Sequence, residues 1–251
     1  MSPSPYDDPD LYDALFEWLE FDRGFYLELA RRHGGPLLDV GCGTGRLLLR
    51  LSRDGYPVDG WEPSRPMFDR LRAKVRAAGL SPRLFTDGVD NIPGDARYGV
   101  VFCAFNAFAH NLTAEAQLGL LRRMRAATRP GGVVAIGSGH PSFTELARPS
   151  NAPVVELQTD PAISGRRLRL SDERSFDYVS QVQHSRIVVE EFDAQGATLA
   201  TFVSETDVRW CFQPEFELLL RLAGFGGFRI HGGYDGEVRH SDTQPMVIEA
   251  W

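Results

Sequence analysis

A cluster of closely spaced glycines is the first feature of the sequence that could bind a ligand. The segment LLDVGCGTGRLL places Gly41, Gly43 and Gly45 between a short apolar run and an amphipathic stretch. Glycines at a junction between a strand and a helix permit a tight turn, and they let a ligand approach the backbone amides closely. We therefore expect this turn to bind a ligand.

Nearby residues narrow the kind of ligand. No Gly-Lys-Ser or Gly-Lys-Thr follows the glycines, which excludes a phosphate-binding P-loop, and Arg46 stands where a dinucleotide turn requires a small residue. Glu62 ends the next apolar run, where an exposed carboxylate would accept hydrogen bonds from both hydroxyls of a ribose. The sequence thus predicts a ligand that contains a ribose.

The segments that must position these residues alternate between short apolar runs and amphipathic stretches. Helices are predicted over residues 12–32, 46–55, 67–78, 113–128 and 214–224. Strands are predicted over residues 36–41, 56–62, 82–87, 98–105 and 133–138, with a terminal hairpin over 228–234 and 244–251. This alternation predicts an α/β fold with a Rossmann-like, mostly parallel sheet, helices on both faces and an antiparallel terminal hairpin.

The alternation is interrupted once, after the fifth strand. Residues 150–212 are rich in β-forming residues, and a turn at Asp193 to Gly196 predicts a hairpin there. We interpret this stretch as an insertion within a single domain of residues 1–251. Residues 1–35 are expected to form a loose arm, rich in Pro, Ser and Asp, and then a helix over the ligand site.

Composition limits the partners of the chain. A net charge of -7 argues against a protein that grips nucleic acid or anionic lipid, because both require a positive surface. No apolar run reaches the ~20 residues that a membrane span needs. Three cysteines without metal-ligand spacing predict no metal site and reduced thiols in the cytoplasm. We expect a small-molecule partner and either a monomer or a homodimer.

Three motifs resemble those of the class I methyltransferases that use S-adenosylmethionine. LDVGCGTGRL resembles their first motif, GWEPSRPMFDRLR resembles the second-strand segment that ends in an acidic residue, and TRPGGVVAI resembles the turn before their fifth strand. The N-terminal YDDPDLYD and the closing GGYDG are similar to segments of a bacterial small-molecule branch. The resemblance implies S-adenosylmethionine as the cofactor and methyl transfer to a nitrogen or oxygen of a small acceptor.

The resemblance also implies which residues surround the cofactor. Asp39, Gly41 and Gly43 would surround its amino acid end, Glu62 would hold its ribose, and Asp87 would accept a hydrogen bond from the adenine amine. The full set of residues expected near the cofactor is Tyr12, Asp39, Gly41, Cys42, Gly43, Glu62, Pro63, Met67, Asp87, Gly88, Cys103, Ala104 and Phe105.

His110 is the predicted catalytic residue. It lies just past the fourth strand, on the carboxyl edge of the sheet, where sites in open α/β folds are found, and the segment resembles that of sugar N-methyltransferases. An amine or hydroxyl acceptor must lose a proton, which a neutral histidine accepts. His140, Trp210 and Tyr234 are predicted to line the acceptor pocket. Each of these four could instead be a packing residue.

Two other functions stay open at this point. One is an NAD-dependent oxidoreductase built on the same kind of turn, although Arg46 counts against it. The other is a protein that binds S-adenosylmethionine without catalysing a transfer. The identity of the acceptor does not follow from the sequence, because loops of unknown position build its pocket.

Overall fold

The computed structural model describes residues 3–148 and 152–251 of the chain. Its helices are α1 (Pro9–Phe16), α2 (Arg23–His33), α3 (Arg46–Arg53), α4 (Arg65–Ala77), α5 (Ala114–Ala127), α6 (Phe143–Leu146), α7 (Pro161–Ser164) and α8 (Gln213–Leu222). Its strands are β1 (Leu37–Val40), β2 (Val58–Trp61), β3 (Leu84–Phe85), β4 (Tyr98–Cys103), β5 (Thr128–Ser138), β6 (Pro153–Gln158), β7 (Arg167–Asp177), β8 (Val182–Phe192), β9 (Thr198–Arg209), β10 (Phe228–His231) and β11 (Met246–Ala250). Short 3₁₀ helices, Val89–Asn91 and Ala107–His110, follow β3 and β4.

The larger sheet has the strand order β10-β11-β5-β4-β1-β2-β3. The strands from β1 to β5 are parallel, whereas β11 is antiparallel to both of its neighbours. The predicted fold class, a mostly parallel sheet with an antiparallel terminal hairpin, is confirmed. Because β1, β2, β4 and β5 run in one direction, the residues that follow them meet at one edge, which we call the carboxyl edge.

Helices cover both faces of this sheet. On one face, Leu121 of α5 and Phe216 of α8 pack in the same cluster as Val101. On the other, Leu29 of α2 and Leu48 of α3 join the cluster that contains Phe102. Every residue of β1, β2 and β4 is buried, as expected of parallel strands with helices on both sides. The core therefore holds the carboxyl edge rigidly.

The β-rich stretch forms a second, antiparallel sheet with the order β6-β7-β8-β9. The predicted turn at Asp193 to Gly196 lies between β8 and β9, where the Asp193 amide donates to the Ala197 carbonyl at 2.9 Å. A second turn, at residues 178–181, separates β7 from β8 and was not predicted. The predicted first residue of the insertion, Ser150, lies outside the described residues.

The second sheet shares a small core with the N-terminal helix. Leu11 and Leu15 of α1 pack against Leu168, Leu170 and Val189 of β7 and β8. The sheet is therefore attached to the segment that precedes the glycine turn. Its assignment to a single domain of residues 1–251 stays a prediction.

The prediction of one helix over residues 12–32 is wrong, because the chain is broken between α1 and α2. Arg46 donates to the Leu19 carbonyl at 3.0 Å and binds the Asp22 carboxylate through hydrogen bonds of 2.7 and 2.6 Å. Arg50 donates to the carbonyls of Glu17 and Leu19. In a continuous helix these carbonyls would accept from amides four residues later, so the guanidinium groups replace one turn of helix.

The arm before α1 is ordered, which corrects the expectation of a loose segment. The Pro3 carbonyl accepts a hydrogen bond from the Glu205 amide of β9 at 2.9 Å, and the Tyr6 hydroxyl lies 2.7 Å from Nε2 of His110. Asp8 caps α1 through the Leu11 amide. Met1 and Ser2 lie outside the described residues. The sequence concealed this order because both partners of the arm lie far away in the chain.

Within residues 3–148 and 152–251, no helix combines the length and apolarity that crossing a membrane requires.

The ion pair between Arg46 and Asp22 should carry much of the stability of the N-terminal segment. The Asp22 side chain is fully buried and that of Arg46 is 8% exposed, so Asp22→Asn leaves a buried guanidinium without its counter-charge. We expect the free energy of unfolding to fall by about 3–5 kcal/mol, as when one partner of a buried pair is removed. Urea denaturation measures this change.

Asp69→Asn is the matched control, because Asp69 pairs with Arg65 on the surface of α4. It should cost less than about 0.5 kcal/mol. Equal effects of the two substitutions would show that the buried pair does not hold the segment.

Candidate active site

The glycine turn after β1 is closed and tightly packed. Gly41, Gly43 and Gly45 have φ angles of +75°, +57° and +94°, a region that favours glycine. A Cβ at Gly41 would lie 2.8 Å from that of Ala107, and the Gly41 amide donates to the Trp61 carbonyl at 2.8 Å. The turn is thus wedged between the ends of β2 and β4, as the sequence motif predicts.

Glu62, at the end of β2, reaches across to the glycine turn. One carboxylate oxygen accepts from the Gly43 amide and the other from the Ser64 amide, both at 2.8 Å. The side chain is buried, and burial raises the pKa of the carboxyl group. The expectation of an exposed carboxylate is therefore wrong. Each carboxylate oxygen has a second lone pair, so the group retains the capacity to accept further hydrogen bonds.

Asp39, in β1, is a second buried carboxyl group beside the turn. Among the described residues, no side chain donates a hydrogen bond to it, and burial raises its pKa to about 8. Arg46 opposes this rise through its charge, whereas Asp22 and Glu62 add to it. A hydrogen bond with the Leu48 backbone also opposes the rise. A buried acid without a side-chain donor is well suited to a cationic ligand group.

The N-terminal helix is tied to the glycine turn at a second point. The buried Asp13 carboxylate accepts from the Thr44 hydroxyl at 2.5 Å, from Lys74 at 3.1 Å and from Arg70 at 3.0 Å. Thr44 and Arg46 flank Gly45 in the sequence, so α1 and the start of α2 are both anchored to the turn. This anchoring places α1 at the carboxyl edge.

A chain of aromatic rings crosses the same edge. The ring centroids of Tyr6 and Tyr12 are 5.9 Å apart, those of Tyr12 and Phe16 are 4.9 Å apart, and those of Phe16 and Phe105 are 5.4 Å apart. Burial raises the pKa of Tyr6 and of Tyr12, and the charge of Glu62 adds to both shifts. Both tyrosines therefore lie near the Glu62 carboxylate. Tyr12 was predicted there, but Tyr6 was not.

The other residues predicted near the cofactor lie around the same edge. Met67 is buried at the start of α4, with Cε 3.5 Å from the position of a Cβ on Gly43. Asp87 and Gly88 are exposed in the loop after β3, the strand next to Glu62. The remaining members are the exposed Pro63 and the buried Cys42, Cys103 and Ala104.

The chain leaves β4 through two residues of unusual conformation. Phe105 and Asn106 have φ angles of +51° and +62°, which side chains other than glycine rarely adopt. Asn106 is held there, since its amide donates to the Gly137 carbonyl at 3.1 Å and its side-chain oxygen accepts from Gly139 at 3.0 Å. Such strain is concentrated at functional sites, where surrounding contacts maintain it. It directs the segment toward His110.

His110 ends the 3₁₀ helix after β4, with Nε2 facing the Tyr6 hydroxyl. Burial by the surrounding protein lowers the pKa of the imidazole, although the residue keeps an exposed surface. A hydrogen bond with the backbone of Asp207 opposes this shift. The ring is therefore neutral at neutral pH and able to accept a proton.

The three residues predicted to line the acceptor pocket are in different surroundings. His140 follows β5 at the carboxyl edge, where its Nε2 faces Arg239. Tyr234 packs against Phe21, Phe25 and Tyr26, and burial together with the charge of Asp22 raises its pKa.

Trp210 is buried elsewhere. Its described contacts are with Phe176, at 5.7 Å between centroids, and with the carbonyl of Gln181. These contacts belong to the second sheet and do not bring Trp210 to the other candidates.

No group of three or more His, Cys, Asp or Glu in residues 3–148 and 152–251 is arranged to hold a metal ion.

Comparison with known proteins agrees with this geometry. Residues 37–132 match the family described as a methyltransferase domain. The cypemycin N-terminal methyltransferase of a Streptomyces species is 27% identical, with 98% of this chain and 97% of the relative covered. The chain is a methyltransferase that uses S-adenosylmethionine.

Solved structures of low sequence identity share the fold of the methyltransferase. CcbJ from Streptomyces caelestis superposes with a TM-score of 0.77 at 23% identity, covering 98% of this chain and 97% of its own. CalS10 from Micromonospora echinaspora, an amino pentose methyltransferase solved with S-adenosylmethionine, has a TM-score of 0.68 at 18% identity, covering 98% and 92%.

The two alternative functions are set aside by this assignment. In the methyltransferase, the Arg46 guanidinium lies 5.1 Å from the ring centroid of Phe105 and 5.8 Å from that of Phe21. The Arg46 guanidinium thus fills the side of the glycine turn that faces α2.

The pair of buried carboxyl groups fits S-adenosylmethionine, which carries an ammonium group, a sulfonium centre and a ribose. No side chain of the described residues donates to Asp39, and the ammonium group would supply such a donor. Glu62 retains lone pairs that would accept from the ribose hydroxyls.

Glu62→Ala should weaken cofactor binding and also destabilise the fold. Loss of a charged hydrogen-bond acceptor costs ~1.5–3 kcal/mol, which corresponds to roughly one to two decades in affinity for S-adenosylhomocysteine. The amides of Gly43 and Ser64 also lose their acceptor, so unfolding should become easier by about 1–3 kcal/mol.

Titration calorimetry and urea denaturation measure the two effects separately. Glu28→Ala, which removes an exposed carboxylate of α2, is the control and should change neither. An unchanged affinity in Glu62→Ala would mean that the ribose lies elsewhere.

The raised pKa of Asp39 should make cofactor affinity depend on pH. If the ammonium group binds the ionised carboxylate, affinity must increase as the pH rises toward about 8. Between pH 5.5 and 7.5 we expect S-adenosylhomocysteine to bind about tenfold more tightly per pH unit, the limit for one linked proton. Asp39→Asn should bind weakly and without this slope. A flat profile in the wild type would contradict the assignment.

Proposed function

We propose that the enzyme transfers a methyl group to a nitrogen or oxygen of a small-molecule acceptor, with His110 accepting the proton that the acceptor loses. The hydrogen bond between His110 and Tyr6 is the observation that carries this proposal. It joins a neutral imidazole to a hydroxyl that lies near Glu62, at the edge where the cofactor residues converge.

The cofactor would be held by the predicted residues around the carboxyl edge. Asp39 and the turn at Gly41 and Gly43 would bind its amino acid end, and Glu62 its ribose. Met67, Asp87 and Gly88 would surround the adenine, with Tyr12, Cys42, Pro63, Cys103, Ala104 and Phe105 completing the lining. When bound, S-adenosylmethionine supplies a methyl group on a sulfonium, which is electrophilic without further activation.

The protein then has two tasks, orientation and proton transfer. In-line displacement requires the acceptor to be aligned and water to be excluded, and the rings of Tyr6, Tyr12, Phe16 and Phe105 form an apolar wall for that purpose. Asn106 fixes the end of β4, so that His110 and the wall keep their relative positions.

The hydrogen bonds of His110 suit a base. The Asp207 backbone contact raises the pKa of the ring, as an acceptor for a ring N–H does. The other nitrogen, Nε2, then carries the lone pair and accepts from the Tyr6 hydroxyl. A proton from the acceptor would reach Nε2 either directly, with Tyr6 displaced, or through the Tyr6 hydroxyl.

Nitrogen is the favoured nucleophile. The cypemycin N-terminal methyltransferase and the amino pentose methyltransferase CalS10 are named for acceptors that contain an amine. A protonated amine must become neutral before it attacks, which a neutral histidine promotes. The acidic chain, with a net charge of -7, disfavours nucleic acid as the acceptor.

His110→Asn should lower kcat by about 100-fold or more while leaving cofactor affinity within a few fold, because general base catalysis contributes this much. Tyr6→Phe should have a smaller effect if the acceptor reaches Nε2 directly and a comparable one if the hydroxyl relays the proton. Product formation is followed by mass spectrometry with acceptors found by screening small amines and hydroxyl compounds.

The pH dependence of kcat separates a base from a structural residue. A base must be unprotonated, so the rate should fall as the pH drops through the lowered pKa of His110, below the range of an ordinary histidine. This acid limb should vanish in His110→Asn. Near-native turnover in that variant would show that His110 is structural.

A further inference from the structure

One arginine at the carboxyl edge forms no ion pair with the described residues. Arg239, in the loop between β10 and β11, is half-buried, and no carboxylate in the described parts of the chain lies within 4.0 Å of its guanidinium. Burial lowers its pKa, although the charge of Asp242, which lies farther away, opposes this shift. Burial also lowers the pKa of Arg50, but Arg50 has a counter-charge, because the Glu20 carboxylate lies 3.4 Å from it. Keeping a guanidinium partly out of water without a carboxylate in direct contact costs free energy, and a ligand anion would offset that cost.

Neutral groups from three elements hold Arg239 in place. Its nitrogens donate to Nε2 of His140, to the side-chain oxygen of Gln213 at 3.1 Å and, more weakly, to the Gln244 carbonyl at 3.4 Å. Nδ1 of His140 lies 3.1 Å from the Pro141 carbonyl, so this nitrogen carries the hydrogen and Nε2 is the acceptor. His140 is therefore committed to orienting Arg239 and is not free to act as a base.

Arg239 lies on the same edge as the proposed reaction centre. His140 follows Gly139, whose amide donates to Asn106, the residue that fixes the end of β4. Residues 240–245 precede β11, which is antiparallel to β5 with Met246 opposite Ser138, so this loop overhangs the carboxyl end of β5. The guanidinium is thus linked to the segment that carries His110 through two hydrogen bonds, one to His140 and one from the adjacent Gly139 to Asn106.

Aromatic side chains pack beside His140, the residue that accepts a hydrogen bond from the guanidinium. The His140 ring meets Phe212 edge-on at 5.8 Å, and Phe212 stacks on Phe143 at 5.6 Å. Phe143 is 65% exposed. An exposed ring, joined to the guanidinium through Phe212 and His140, suits a ligand with an anionic group and an apolar part.

We propose that Arg239 is the anion subsite of the acceptor and receives a carboxylate of that molecule. A single guanidinium matches a monoanion. Asp242 lies nearby, where its carboxylate accepts from the Phe143 amide at 2.9 Å, and its charge disfavours a dianionic phosphate. The inference rests on the proposed function, since it concerns the acceptor of that reaction, and it specifies an amine that also carries a carboxylate.

Binding of matched probes tests the subsite without any methyl transfer. Benzoate and benzamide differ in charge but share the ring, and each is titrated into protein saturated with S-adenosylhomocysteine, with affinity measured by ligand-observed NMR. We expect benzoate to bind about tenfold more tightly than benzamide, as a charge-assisted hydrogen bond provides. Arg239→Met should reduce this preference to within about twofold, and Arg239→Lys should retain part of it.

Arg229→Met is the control for a change in net charge. Arg229 lies exposed on β10 of the same hairpin, toward the opposite edge of the sheet. It should keep the full preference for benzoate. Unchanged affinity for S-adenosylhomocysteine and for benzamide in Arg239→Met shows that the fold around the site is intact.

Three results would overturn the proposal. The first is equal binding of benzoate and benzamide to the wild type. The second is a preference that survives Arg239→Met or is lost equally in Arg229→Met. The third is displacement of benzoate by inorganic phosphate at lower concentration than by acetate, which would assign a dianion. None of these depends on turnover, so loss of the subsite is distinguishable from failure of His110 as the base.

Discussion

The buried ion pair between Arg46 and Asp22 fixes the N-terminal segment against the glycine turn. Arg46 is the first residue of α3, so the position of its guanidinium is set by the main sheet and its core. Asp22 precedes α2, and the bond between them stops the preceding chain from forming a continuous helix. Because α1 is thereby turned across the carboxyl edge, Tyr6 and Tyr12 lie near Glu62. The aromatic wall and the contact with His110 both depend on this interaction together with the second tie, through Asp13.

The same arrangement explains why an arginine follows the glycine turn. The guanidinium is satisfied by a carboxylate, a carbonyl and two aromatic rings, so that its burial is compensated. A small residue at this position would release the N-terminal segment. In the sequence, Arg46 argued against a dinucleotide site. In the structure, the same residue anchors the N-terminal segment at the carboxyl edge.

Local signals were sufficient for the sheet and for the glycine turn at its carboxyl edge, whereas the assignment of the surrounding residues to the cofactor stays a prediction. Apolar runs, helix periodicity and the spacing of glycines depend on neighbouring residues, and they predicted the parallel strands, the turn at Gly43 and the acid at Glu62. The break between α1 and α2 was missed because Arg50, more than twenty-five residues away in sequence, supplies its hydrogen bonds. Tyr6 was missed for the same reason, since its partner His110 is 104 residues away. The role of His140 depends on which ring nitrogen carries the hydrogen, and no sequence pattern predicts that.

Two buried acids at the proposed cofactor site reverse the usual relation between pH and folding. Asp39 and Glu62 both have raised pKa values in the native state, so the folded chain binds more protons than the unfolded chain above the ordinary range of carboxyl groups. Proton linkage then makes these two residues lower the stability of the ligand-free protein as the pH rises toward about 8. A bound cation at Asp39 removes this penalty. The protein thus depends most on its ligand for stability under mildly alkaline conditions, where protease resistance of the free chain is lowest.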